Sequence, residues 1–161
     1  MTERLNRILN HNLYKEYVWK TREAEQDRKF CRHDMRHFLD VARLSIILNA
    51  KEGLGQNEEL LYAAALLHDI GRFVQYQDGT PHEQASYELA PEIIDDCGFD
   101  AGEKEKILSA IVNHRKKENS TAPTMDGLIY RADKMSRTCY ACDAESECDW
   151  DCNKKNRTLV Y

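Results

Sequence analysis

The stretch Tyr62-Ala63-Ala64-Ala65-Leu66-Leu67-His68-Asp69-Ile70-Gly71-Arg72 decides how the rest of the chain is read. Its first six residues carry no charged face, which predicts a helix from about Asn57 to His68 buried on all sides. Such a helix carries His68 and Asp69 into the interior with it. A carboxylate taken out of water without a partner costs several kcal/mol by rough estimate, so Asp69 calls for a cation. Gly71 reads as a left-handed stop.

Working outward, nearly every segment has helical periodicity and none shows the alternation of a half-buried strand. Leu5, Ile8, Leu9, Leu13 and Tyr17 form an apolar stripe on one or two charged helices between Thr2 and about Arg28, which could pack on this chain's own core or on a partner. Asp34 to Ala50 aligns His37, Val41, Leu44 and Leu48 on one face, closed by Gly53 and Gly55. Val74 to Thr80 reads as a loop. Thr80-Pro81-His82-Glu83 is a helix start, with Thr80 as cap, Pro81 in the first turn and Glu83 completing a capping box. Pro91 is expected to kink or split that helix and Gly98 to end it. Asp100 with Glu103 opens another, to about Lys117; Asn119 to Pro123 reads as a loop, Thr124 to Arg137 as a last helix, and Cys139 to Tyr161 as a polar, irregular tail.

The chain has 161 residues, 42% of them hydrophobic, enough for a single domain with one core. A net charge of -5 argues against a general nucleic-acid binder but not against a small phosphorylated ligand held by a few local cations. No apolar run is long enough for a membrane span, and Met1 to Lys20 has no signal-peptide core, so a cytoplasmic protein is expected, with its cysteines as thiols or metal ligands.

On this map His37, the pair His68-Asp69, and Asp133 point inward from three different helices, as does His114, from a fourth, beside Ile107 and Ile111. Any one of them alone is ordinarily a hydrogen-bonded core residue, or an aspartate that caps a helix or pairs with arginine. Their convergence favours a shared divalent cation, and imidazole with carboxylate suits Mn, Fe, Co, Ni or Zn.

The three stretches His37-Phe38-Leu39-Asp40-Val41-Ala42-Arg43, Ala65-Leu66-Leu67-His68-Asp69-Ile70-Gly71-Arg72 and Ile129-Tyr130-Arg131-Ala132-Asp133-Lys134 resemble, in order and spacing, the HD-domain metal-dependent phosphohydrolases, and among them small bacterial members with a late cysteine cluster. The resemblance runs from about Arg28 to Arg137. It implies an all-α bundle of five or more helices over residues 1–137 with a central metal site, followed by a cysteine-rich tail, 138–161, packed on or near it. It also implies metal ligands at His37, His68, Asp69 and Asp133. His82 resembles the family's next histidine, although Ala85-Ser86 stands where a Gly-Ala pair is usual, and His114 resembles the fourth. Members with both hold two metals bridged by the aspartate; otherwise these histidines bind phosphate or act as acid or base. His33, four residues before His37, is read as a surface or capping residue, or else a substitute or supporting group at the site.

The implied reaction is hydrolysis of a phosphomonoester or phosphodiester, of a nucleotide by preference, by metal-activated water. Asp69, His82, His114 and Arg72 are the catalytic candidates. Arg72, Lys134 and Arg137 are candidates for phosphate binding through charge-assisted hydrogen bonds, set against the simpler reading of solvated surface cations; Arg28 is a further such cation. Cys139-x2-Cys142-x5-Cys148-x3-Cys152 is a possible zinc or iron–sulfur site, or else a set of free thiols or a redox pair at Cys139 and Cys142. Two other functions fit the same ligands: a di-iron oxygenase of the same fold, and a non-catalytic nucleotide sensor.

Overall fold

The computed structural model describes residues 2–159. The apolar run around Ala64 lies at its centre as α4 (Glu58–Leu67), capped by Asn57, whose side chain accepts from the amides of Glu59 and Leu60. Ala63 to Leu67 are all buried, and the small alanines let α4 pack closely on several neighbours at once. Those neighbours are α1 (Thr2–Asn10), α3 (Met35–Glu52), α7 (Ala101–Asn113) and α8 (Met125–Met135). Leu61, Leu66 and Leu67 are fully enclosed, each contributing about 1.5–3 kcal/mol through its burial. The remaining helices are α2 (Asn12–Ala24), α5 (Arg72–Asp78) and α6 (His82–Asp96). No strand occurs among the described residues, and none of their helices is long and apolar enough to cross a membrane.

The N-terminal stripe packs on this chain's own core: Leu5, Ile8 and Tyr14 are buried. The stretch is two helices because His11 caps the second, accepting at Nδ1 from the Leu13 amide. Arg4 then ties α1 to the starts of α4 and α7, 2.6 Å from both Glu59 and Glu103. The capping box of Asp100 and Glu103 forms, and Gly53 and Gly98 take positive φ where helices end.

Several local expectations are corrected. Residues 72–78 are the helix α5, not a loop; its buried Phe73 stacks on Tyr17 of α2 at 5.6 Å. The box at Thr80 does not form, because α6 starts one residue later, with Pro81 in the cap position and no side-chain cap. Pro91 does not split α6, which runs unbroken past it. The carbonyl of Tyr87, which loses its helical partner at Pro91, belongs to an exposed residue. α7 ends at Asn113, and a 3-10 turn, Lys117–Thr121, occupies the expected end of that helix and part of the following loop. Gly71 has φ −86°, so no left-handed turn requires it. It is there for space: a Cβ would sit 2.4 Å from the Ser86 nitrogen and 2.7 Å from Ala85. That close approach lets the Ser86 hydroxyl accept the Gly71 amide at 2.9 Å.

The tail folds as three 3-10 turns, Cys139–Ala141, Glu145–Glu147 and Cys152–Lys154, laid against α8. The Asn156 amide donates to the carbonyls of Lys134 and Arg137, both at 2.8 Å, which closes the free C-terminal end of α8. Trp150 lies over the Arg137 guanidinium at 4.6 Å. Tyr161 and part of this tail's last residues lie outside the described region.

Candidate metal centre

Two groups of buried side chains converge below this tail. His37, His68 and Asp69 form one, and Asp69, His82 and His114 the other, each with ligand atoms within 4.8 Å of one another. Asp69 belongs to both. Its Oδ2 is 3.5 Å from His68 Nε2 and 3.6 Å from His37 Nε2. Its Oδ1 is 3.1 Å from His82 Nε2 and 3.6 Å from His114 Nε2. Asp133 joins the first group, with Oδ1 3.5 Å from His37 Nε2.

The hydrogen bonds on the far side of three of the rings fix which nitrogen carries the proton. His68 Nδ1 lies 2.7 Å from the Ala65 carbonyl and His114 Nδ1 2.6 Å from that of Ile111. A carbonyl only accepts, so both rings are protonated at Nδ1. Ser136 Oγ gives its proton to the Asp133 carbonyl at 2.7 Å, and therefore accepts from His37 Nδ1 at 3.2 Å. His82 Nδ1 lies 2.6 Å from both the Gln75 amide oxygen, which would take a proton from it, and Arg72 Nη1, which would give one to it, so these contacts alone do not choose its tautomer. All four Nε2 atoms are turned inward, 3.3 Å apart between His37 and His68 and 3.2 Å apart between His82 and His114. Those of His37 and His68 both carry lone pairs, which repel at that distance, and a cation between them reverses the sign.

The carboxylates tell the same story. Asp69 is 2% exposed and has no lysine or arginine within 4.0 Å among the described residues; its Oδ1, like Oδ1 of Asp133, lacks a hydrogen-bond partner. Burial opposes ionisation of both, but the surrounding histidines, His68 and His82 foremost, hold Asp69 well below the usual carboxylate range, and Lys134 and Arg137 do the same for Asp133. Burial pushes His68 down as well, and His114 down to about 3. Ionised carboxylates beside neutral imidazoles is the protonation state that a divalent cation requires. The donor set fits such an ion.

A cavity of about 770 Å³ opens over the site, lined on its inner wall by Asp69, His82, Asp133 and His33. Arg72, Arg115, Lys117, Lys134, Arg137 and Lys154 surround it, so the local field is positive although the chain as a whole is acidic. Lys134 Nζ pairs with Asp133 Oδ2, and Arg137 Nη2 lies 3.5 Å from Oδ1. Neither is a solvated surface cation. Arg28 does not line this cavity; its Nε donates to the Cys31 carbonyl at 2.8 Å.

His33 is not at the surface. It precedes α3, is 2% exposed, and lines the cavity. Its reading as a surface residue is corrected, and what the sequence did not show is its partner, Glu25, which lies at the end of another helix with no motif joining them. The cysteines are not gathered: neither metal-competent group among the described residues includes one, and Cys139, Cys142, Cys148 and Cys152 are all free thiols. The tail contributes Trp150, Asp151, Asn153, Lys154 and Asn156 to the cavity wall instead.

Residues 35–138 match the family described as HD domain. An uncharacterized protein of Clostridium beijerinckii is 43% identical over 159 residues, which covers 99% of each chain. Ribonuclease Y 1 of Pediococcus pentosaceus is 24% identical over 140 residues, 79% of this chain but 27% of that protein. Ribonuclease Y of Oleidesulfovibrio alaskensis is 27% identical over 126 residues, 78% of this chain and 22% of its own. The chain therefore spans about a quarter of these ribonucleases' length. No solved structure matches it.

Proposed function

The chain belongs to the HD-domain family, whose members are typically metal-dependent phosphohydrolases, and on that premise we propose that it hydrolyses a phosphate ester of a nucleotide. The observation that carries this reading is the two pairs of inward-turned Nε2 atoms on either side of one shared carboxylate. His37, His68 and Asp133 with Asp69 Oδ2 would hold one divalent ion, and His82 and His114 with Asp69 Oδ1 a second. Mn, Fe, Co, Ni and Zn all suit these donors. When bound, such an ion supplies hydroxide near neutral pH and polarises a phosphoryl oxygen.

The chain's own residues do the rest. Asp69 orients the attacking water from between the two groups. Arg72, held against His82 and Gln75, presents its guanidinium to the phosphoryl oxygens, and Arg137 and Lys134 neutralise charge on the opposite wall. The far side of the cavity, with Trp150, Arg115, Lys117 and Lys154, is sized and charged for a nucleotide. The names of the ribonuclease Y relatives favour a phosphodiester bond. The net charge of -5 favours a small molecule over long RNA.

The test is release of phosphate or nucleoside phosphate by Mn-loaded protein from a panel of nucleoside mono-, di- and cyclic phosphates, dinucleotides and a short single-stranded RNA. Activity is expected on at least one member, lost on chelation and in Asp69→Asn. Cleavage of none, while another HD-family hydrolase works in parallel, would overturn the proposal.

A further inference from the structure

One buried polar assembly is not used by that mechanism. Glu25 caps the end of α2, is 2% exposed, and is bonded on both oxygens. Oε2 accepts the His33 backbone amide at 2.7 Å. Oε1 lies 2.5 Å from His33 Nδ1 and accepts the Tyr76 hydroxyl at 2.6 Å. Burying a carboxylate is costly, and here three donors offset that cost. All of them act to fix one imidazole.

The fixed ring has a definite direction. With Nδ1 donating to a carboxylate, the lone pair is on Nε2. Nε2 faces Asp69 Oδ2 at 3.8 Å. The ring stands edge-on to His37, with centroids 5.5 Å apart and planes at 85°. Among the described residues nothing donates a hydrogen bond to Nε2. Two acceptors thus face each other across a gap inside the same cavity. A separation of 3.8 Å is within the roughly 4.2 Å that two donors, each about 2.1 Å from one ion, can span. A carboxylate that orients an imidazole through Nδ1, leaving Nε2 for a metal, is a recurrent arrangement at metal sites. A latch that merely pinned the loop before α3 would have no need to aim Nε2 at the shared carboxylate.

We propose that His33 is a further nitrogen donor to the ion on the Oδ2 side of Asp69, buttressed by Glu25 and Tyr76. The proposal rests on the metal-centre reading above. His33 and Glu25 lie before position 35, outside the part of the chain that matches the HD domain.

Cobalt(II) titration of the stripped protein tests it, read by visible absorption and by metal retained after equilibrium dialysis. The proteins compared are wild type, His33→Gln, Glu25→Gln and His68→Ala, with the metal-free thermal midpoint of each as the measure of folding. His33→Gln is expected to bind cobalt at least about tenfold more weakly and to change the visible band, because a nitrogen donor is lost. Glu25→Gln, which leaves the ring in place but unbuttressed, should weaken binding about 10- to 100-fold. If either variant folds and keeps wild-type affinity and spectrum while His68→Ala loses cobalt, the His33 proposal is overturned and the metal centre stands. If wild type itself takes up no cobalt, both fall together.

Discussion

At the residue scale, what makes this site a cation site is the outward face of each histidine. Carbonyls of Ala65 and Ile111 and the hydroxyl of Ser136 take the Nδ1 protons of His68, His114 and His37, so the Nε2 lone pairs of those three rings are free for a metal. His37, His68, His114 and Asp133 were legible as inward-facing because helical periodicity places a side chain relative to its own helix. Their Nδ1 partners were not legible, since those depend on rotamers and, for His37 and Ser136, on residues 99 positions apart. Gly71 shows the same limit. Its identity was read as a backbone requirement, whereas the cause is the approach of α6, which no local pattern reveals. Gly71→Ala should therefore destabilise the protein by about 1–3 kcal/mol through overpacking against Ser86 and Ala85, measured by urea unfolding. A left-handed glycine would have no such neighbours. An unchanged midpoint would show that the two helices separate freely.

At the scale of the element, α3, α4, α7 and α8 were legible because each is long enough to display an apolar face, and Asn57, Asp100 and Thr124 mark three of their starts with side-chain caps. α5 was not. A helix of seven residues is too short to form on its own propensity, and it exists because Phe73 is buried against Tyr17 and because Gly79 ends it with φ 85°. The tail, read as irregular and packed on or near the bundle, hid only the contacts that order it, above all the Asn156 amide on the last carbonyls of α8. Removing that amide in Asn156→Ala should cost about 1 kcal/mol locally, or roughly a fivefold rise in the open population of the tail. Limited proteolysis would then cleave within residues 139–159 several times faster, with the helical core intact. Equal cleavage rates would show that other contacts hold the tail in place.

At the scale of the molecule, the fold collects ligands from α3, α8 and the ends of α4, α6 and α7 around one carboxylate, and the segment after the HD domain completes the cavity over them. The overall charge did not reveal the basic rim, because cations dispersed along the sequence from Arg72 to Lys154 meet only in the folded chain. The cysteine spacing pointed to a second metal site, but neither metal-competent group among the described residues includes a cysteine. The central claim is that the two trios sharing Asp69 bind divalent cations. The most direct test is metal analysis of the folded chain, stripped with chelator, reloaded with Mn(II) and passed over a desalting column. The account predicts two ions per chain in wild type and one when His82 and His114 are both replaced by alanine. A correctly folded wild-type chain that retains no metal would contradict it.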